Sequence, residues 1–457
     1  MPTPSVIARP LAERFPSGFA WGAATSAYQI EGAVDADGRG PSIWDTYSHT
    51  PGRIEDGSNG DVACDHYHRL TRDLDMMASL GLSAYRFSVA WPRIQATGSG
   101  PANQKGLEFY DRLIDGLLER GIEPWLTLFH WDLPQSLEDA GGWPAREVVG
   151  RFADYTAILA DRFGDRVTKW LTLNEPWCIA MLGYGVGRHA PGVQDWNAAL
   201  RAAHHTHLAH RAASEVIRTV VPEARVGIPL NLHHVEPASE SDADRAAARL
   251  RDGTANRWFL DPVFGRGYPR DIVAAYEPIL DGVDVTELDA PGPPVDILGV
   301  NYYTRHVVRA PRAGEVVDGP ERAIGINGGL PVTEMGWEIH ADGLRQLLER
   351  LHREYGPPAV AITENGAAFP DSLAEDGSVE DEDRIAYMRD HLAATADAIE
   401  AGVPVEAYFA WSLMDNYEWG FGYTKRFGIV HVDYETQERT PKASARWYRD
   451  VITASRG

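Results

Sequence analysis

Cysteine is almost absent from this 457-residue chain. Only Cys64 and Cys178 occur, too few for a disulfide framework, so a reduced compartment is expected. Lysine is nearly as scarce: Lys105, Lys169, Lys425 and Lys442 stand among 43 basic residues. Against 66 acidic residues this leaves a formal charge of −23, which argues against nucleic acid and anionic membranes as partners and reads as a solvated acidic surface. No apolar run approaches the ~18 residues of a membrane span. Residues 1–16 hold no apolar core of signal-peptide length, and the chain reads as cytoplasmic. No low-complexity linker divides it. The expectation is one domain over residues 1–457, with 1–14 as a loosely ordered arm, and assembly into a homo-oligomer left open.

What is present is a recurring alternation. Short β-rich runs fall near 19–23, 84–89, 124–130, 169–174, 225–231, 296–302, 359–363 and 405–411. Amphipathic stretches such as 67–80, 105–119, 146–163 and 383–401 lie between them. Eight strand–helix units in order predict an α/β fold, a closed (β/α)8 TIM barrel with long strand-to-helix loops at its catalytic face. No glycine-rich phosphate fingerprint follows the first run, which disfavours a dinucleotide fold. Residues 281–294 read as a loop into the sixth strand, and 309–329 as a long excursion after it.

Two glutamates, Glu175 and Glu364, each close an apolar strand-like run and are each followed by a strand breaker, Pro176 or Asn365-Gly366. A carboxylate at the end of a buried strand is costly unless it has partners or work. A pair facing one pocket is what glycosidic bond cleavage needs. The other runs end on or near Gln29, Arg86, His130, Asn174, Asn231, Asn301, Tyr303 and Trp411. Amides, imidazole and carboxylates bond hydroxyls, and indole faces cover the C–H side of a sugar ring, so a polyhydroxylated ligand is expected. Trp131, Trp177, Trp337 and Trp419 join Trp411 as candidates for sugar contact.

Seven segments carry a family resemblance. They are Phe19-Ala-Trp-Gly-Ala-Ala-Thr-Ser-Ala-Tyr-Gln-Ile-Glu-Gly32, Tyr85-Arg-Phe-Ser-Val-Ala-Trp-Pro92, Thr127-Leu-Phe-His-Trp-Asp-Leu-Pro134, Thr172-Leu-Asn-Glu-Pro176, Asn301-Tyr-Tyr-Thr304, Thr363-Glu-Asn-Gly366 and Trp411-Ser-Leu-Met-Asp-Asn-Tyr-Glu-Trp419. In this order the chain resembles the family 1 glycoside hydrolases, and among them a retaining β-glucosidase. The resemblance implies that Glu175 is the general acid and then base, and Glu364 the nucleophile. It implies that Gln29, His130, Asn174, Glu418 and Trp419 bond glycone hydroxyls over a floor of Trp411. It places Arg86 and Tyr303 on Glu364 with Asn301 nearby, and Trp177, His189, Asn231 and Trp337 at the aglycone entrance.

Specificity is partly readable. Phospho-β-glycosidase relatives carry Ser at the position of Glu418, with a Lys and a Tyr downstream that grip phosphate. Here Lys425 is kept, while Glu418 and Phe427 replace the other two. A carboxylate there would repel a 6-phosphate. Unphosphorylated β-glucosides are therefore the expected substrates, with β-galactosidase or β-fucosidase side activity. A 6-phospho-β-glycosidase and a non-catalytic sugar-binding barrel are the alternatives. Thioglucosidases of plants carry Gln at the position of Glu175, and this chain keeps the acid. No cofactor is expected. His204, His205, His207 and His210 tempt a metal reading, but they lack the Glu of a zincin helix and read as helix packing. Glu138, Asp139 and residues 375–383 read as solvated loops.

Overall fold

The computed structural model describes residues 9–456 apart from 316, 318, 319 and 321. The strands are β1 (Ala20–Ala24), β2 (Ala84–Ser88), β3 (Glu123–Phe129), β4 (Lys169–Leu173), β5 (Arg225–Asn231), β6 (Ile297–Asn301), β7 (Val360–Asn365) and β8 (Val405–Trp411). They close a barrel in the order β1-β8-β7-β6-β5-β4-β3-β2, every neighbouring pair parallel. The expected (β/α)8 barrel is the observed one.

Helices α1 (His66–Ser79), α2 (Gln104–Glu119), α3 (Glu147–Phe163), α4 (Trp196–Val220), α5 (Asp242–Asp252), α6 (Ala341–Tyr355), α7 (Glu382–Glu400) and α8 (Ala443–Ser455) pack outside the strands. Their spacing of apolar residues explains the side they bury. In α2, Leu107, Tyr110, Leu113, Ile114 and Leu117 recur every three or four positions and are buried. Caps set the ends. The Asp195 carboxylate accepts from the backbone N–H groups of Asn197 and Ala198 to start α4. Gly356, at φ +59°, stops α6 in the left-handed region that a side chain resists.

Inside the barrel, Trp125 and Phe409 meet edge to face at 5.0 Å. Ala24, Ala84, Leu171, Ala361 and Ala407 fill the space around them. This plug closes the barrel below the strand C-termini, so polar side chains at those ends stand on a dry floor. A buried ionic network steadies the loops above. Lys442 bridges Asp371 and Asp415 at 2.5 and 2.7 Å, Arg426 reaches Asp415 at 2.7 Å, and Arg384 holds Asp371 and Asp381. These contacts tie the segments after β7 and β8 to each other and to α8.

Several local expectations are corrected. The excursion at 309–329 is partly ordered into a small sheet, in which His234–Pro237 pairs parallel with Arg305–Arg309 and the latter antiparallel with Ile324–Ile326. The rest of the 309–329 excursion includes residues outside those described. The loop at 281–294 contains a 3-10 turn, Val285–Leu288. Glu138 is half-buried under the Tyr184 hydroxyl, not solvated, and burial lifts it to about 6. Asp381 is buried because Arg384 and Ser444 satisfy it. Of the expected N-terminal arm, residues 1–8 lie outside those described, while 9–12 make a helical turn with Leu11 and Ala12 buried.

Candidate active site

Strand β4 runs straight into Asn174 and Glu175. Glu175 takes φ +50°, and its N–H is held by the Pro229 carbonyl at 3.0 Å. That kink in a non-glycine residue turns the carboxyl back over the barrel mouth, a strained conformation of the sort found at working sites. Glu364 lies within β7, opposite Asn301 of β6. The chain after it passes so close to β8 that a Cβ on Gly366 would collide with the Trp411 carbonyl oxygen, so only glycine fits there.

The two carboxyls are joined by one hydrogen-bonded chain. Arg86, fully buried on β2, donates to Glu364 Oε1 at 2.7 Å and to Asn174 Oδ1 at 2.6 Å. Asn174 Oδ1 also accepts from Asn301 Nδ2 at 3.1 Å, and that same amide donates to Glu175 Oε1 at 2.7 Å. Thr363 fixes which way the Asn301 amide faces, because its hydroxyl donates to Asn301 Oδ1 at 2.6 Å. Tyr303 donates to Glu364 Oε2 at 2.5 Å. On the far side of Glu175, the Cys178 thiol donates to Oε2 at 3.0 Å.

These partners set the two glutamates apart. Burial first, and the charge of Glu364 second, raise Glu175 to about 7, against the pull of Asn301, Cys178 and Arg86. Burial also pushes Glu364 up, but the Arg86 charge, the Tyr303 phenol and Asn301 oppose it. Glu364 therefore ionises first and Glu175 keeps its proton longer. Glu418 is raised to about 8 by burial and by both other glutamates. His130 is neutral, since burial and Arg86 push it well below its ordinary value. Its Nε2 accepts from Asn174 Nδ2 at 3.0 Å, so the ring proton sits on Nδ1, which is buried without a partner.

One cavity of about 940 Å³ opens over this constellation. It brings together Glu175, Glu364, Glu418, His130, Tyr303, Trp131, Trp411, Trp419 and Phe427, with Trp177, His189, Asn231 and Trp337 along its walls. The rings are packed as a box: His130 stacks near Trp411 at 5.6 Å and near Trp419 at 6.0 Å, and Trp131 meets Trp419 at 4.5 Å. Arg86, Asn174 and Asn301 lie behind this lining. So does Gln29, whose two amide protons go to Asn416 Oδ1 and the Tyr417 carbonyl at 2.9 and 2.7 Å. Its carbonyl accepts from Ser26 at 2.6 Å. Sequence reasoning missed Cys178, Thr363 and Asn416. The signal for Cys178 was its place three residues after Glu175, one helical turn on.

The α4 histidines serve packing. His204 bonds Glu287, His205 the Trp143 carbonyl and His210 Thr172. Among the described residues no group of three or more His, Cys, Asp or Glu side chains is arranged to hold a metal.

A model of glycosyl hydrolase family 1 matches residues 11–456, nearly the whole chain. The chain belongs to glycosyl hydrolase family 1. It is 47% identical to beta-glucosidase A of Thermotoga maritima over 444 residues, covering 96% of this chain and 98% of the relative. It is 46% identical to a bifunctional beta-D-glucosidase/beta-D-fucosidase of Bifidobacterium breve, covering 96% of this chain and 98% of the relative. A solved family 1 β-glucosidase from Thermotoga maritima superposes with a TM-score of 0.93 at 46% identity, covering 97% of this chain and 98% of that one. The same enzyme in complex with glucoimidazole gives a TM-score of 0.92 at 46% identity, covering 97% and 99%.

Proposed function

We propose that this family 1 hydrolase is a retaining β-glucosidase that removes terminal unphosphorylated β-D-glucosyl residues by double displacement. The observation that carries the reading is the split environment of Glu175 and Glu364 in one cavity. Aryl and alkyl β-glucosides and cello-oligosaccharides are the substrates. Side activity on β-galactosides and β-fucosides is part of the proposal, supported by the relative named for both glucosidase and fucosidase activity.

In the first step a Glu364 oxygen attacks the anomeric carbon as the bond to the leaving oxygen breaks. The proton of Glu175 goes to that oxygen. Arg86 and Tyr303 keep Glu364 anionic and aimed. Once Glu364 is an ester its charge is gone, and the pKa of Glu175 falls. Glu175 is then a carboxylate able to take a proton from water, whose oxygen attacks the anomeric carbon and frees Glu364. The Glu418 carboxyl and the Trp411 face meet the glycone, with the His130 ring beside them. Asn174, with one amide proton left after bonding His130, takes the 2-hydroxyl, a contact that strengthens at the transition state. Gln29 enters through its remaining carbonyl lone pair, or by exchanging partners with Asn416.

The whole chain acts as one catalytic unit in this reading. Among the described residues no helix is long and apolar enough to cross a membrane. A cytoplasmic setting is proposed from the unpaired thiols of Cys64 and Cys178. The test is Glu364→Gly. A folded protein without hydrolysis of p-nitrophenyl β-glucoside, rescued by azide as the α-glucosyl azide, is expected. Ordinary hydrolysis persisting in that variant without azide would rule the assignment out.

A further inference from the structure

The cavity is electrically lopsided. Its inner end holds three carboxyls, Glu175, Glu364 and Glu418. A fourth lining acid, Glu338, is bound to Arg305 at 2.8 Å. Two further lining residues, Arg53 and Arg188, are exposed, and neither forms an ion pair among the described residues. In a chain of net charge −23, where acids outnumber bases 66 to 43, unpaired arginines at a cavity mouth stand against the overall field.

The wall between the two ends is continuous. His189 packs 5.1 Å from Trp131 and 6.4 Å from Trp419. Its neighbour is Arg188, and the Gly187 carbonyl before that accepts from the Tyr47 hydroxyl at 3.2 Å. The Arg53 guanidinium lies 5.2 Å over the Tyr47 ring. The loop carrying Arg53 is pinned to the glycone side by Glu55 N–H, which donates to the Gly420 carbonyl at 2.9 Å. Asp56, three residues from Arg53, is occupied by the backbone of Ser58 and Tyr423 at 2.9 and 2.8 Å. Among the described residues neither it nor Glu55 forms an ion pair with Arg53 or Arg188.

We infer that Arg53 and Arg188 form an anion-recognising rim, so that the enzyme favours β-glucosides whose aglycone carries a carboxylate at its far end. This deepens the β-glucosidase reading and rests on it. The neutral glucosyl head sits among the carboxyls, where an anionic one would be repelled by Glu364. The carboxylate of an extended aglycone lies at the mouth, where a guanidinium pairs with it in bidentate fashion.

The experiment uses the β-glucosides of 3-(4-hydroxyphenyl)propanoate and of its primary amide. The saturated linker makes the phenol leaving groups alike, so charge is the difference that remains. Wild type is expected to favour the carboxylate in kcat/KM by about 3- to 10-fold at low salt, mostly through KM, the scale of one or two exposed ion pairs. The preference should shrink at ~0.5 M NaCl, where screening shortens the reach of charge. The double variant Arg53→Ala/Arg188→Ala should lose it, with p-nitrophenyl β-glucoside turnover reporting that the protein is folded and active. If wild type splits p-nitrophenyl β-glucoside but treats both compounds alike, or the double variant keeps the preference, the rim is overturned and the glucosidase reading stands. If wild type splits no β-glucoside, both fall.

Discussion

Replacing Glu364 by Gln keeps the length and shape of the side chain and removes its charge. The response of Glu175 can be worked out from the structure. Glu175 stands at about 7 through burial first and the repulsion of Glu364 second. Two unit charges ~5 Å apart, the spacing of retaining carboxylate pairs, repel by ~3 kcal/mol at an effective dielectric of ~20, or ~2 pKa units. Burial is unchanged by the substitution, so Glu175 stays above an ordinary carboxyl. Arg86, now without its carboxylate partner, pulls in the same direction as the lost repulsion. The expected fall is therefore about 2 units, and burial holds it below about 2.5, the distance from about 7 to an ordinary carboxyl. Protein labelled with [5-13C]glutamate would be titrated by carbon NMR, with Glu175→Gln identifying the resonance. A shift in Glu175 of less than about 0.3 unit, or a rise, would refute the reasoning, because charges that share a cavity cannot ignore each other.

The wild-type kcat/KM profile should lose activity as pH rises through about 7, where Glu175 gives up the proton it must donate. An unchanged rate well above that value would count against Glu175 as the acid. Cys178→Val removes a donor that favours the Glu175 anion, so this limb should move up by about half a unit, and a downward move would contradict the bond's assigned sign. Gly366→Ala should cost more than about 4 kcal/mol or prevent folding, because the new Cβ meets the Trp411 carbonyl, and a melting temperature within about 2 °C of wild type would contradict that packing. A 6-phospho-β-glucoside should be split at least about 100-fold less efficiently than its parent, since the Glu364 anion shares the cavity and Glu418, protonated below about 8, offers a phosphate no cation, and comparable kcat/KM would reverse the specificity assignment.

The barrel was legible because its strands are short apolar runs ending in polar side chains, a pattern that parallel strands with a site at one end must show. Glu175 and Glu364 were legible because a buried strand rarely ends in a carboxylate without reason. The bonds from Arg86 and Tyr303 to Glu364 were expected from the family resemblance, and chemistry adds the reason, since a carboxylate kept ionised in a dry site needs a cation and donors. The donor on the acid was missed, because the three-residue spacing of Cys178 from Glu175 means contact only once the segment after Pro176 coils as a helix. So was the retreat of Gln29, which depends on Asn416 and Tyr417 arriving from the far end of the chain. Asp381 looked solvated because Ser444 reaches it only when α7 packs on α8, although Arg384 is a local partner three residues on. The strand Ile324–Ile326 is too short to stand out from the loops around it.

The central claim is that Glu364 forms a covalent bond to the glucosyl group while Glu175 faces it across the same ring. Incubation with 2-deoxy-2-fluoro-β-D-glucosyl fluoride, whose fluorine slows both steps and whose leaving group needs no acid, should trap the intermediate. Peptide mass mapping is expected to find one fluoroglucosyl group per chain, on Glu364. A label on Glu175 or Glu418, or steady turnover with no label, would contradict the account.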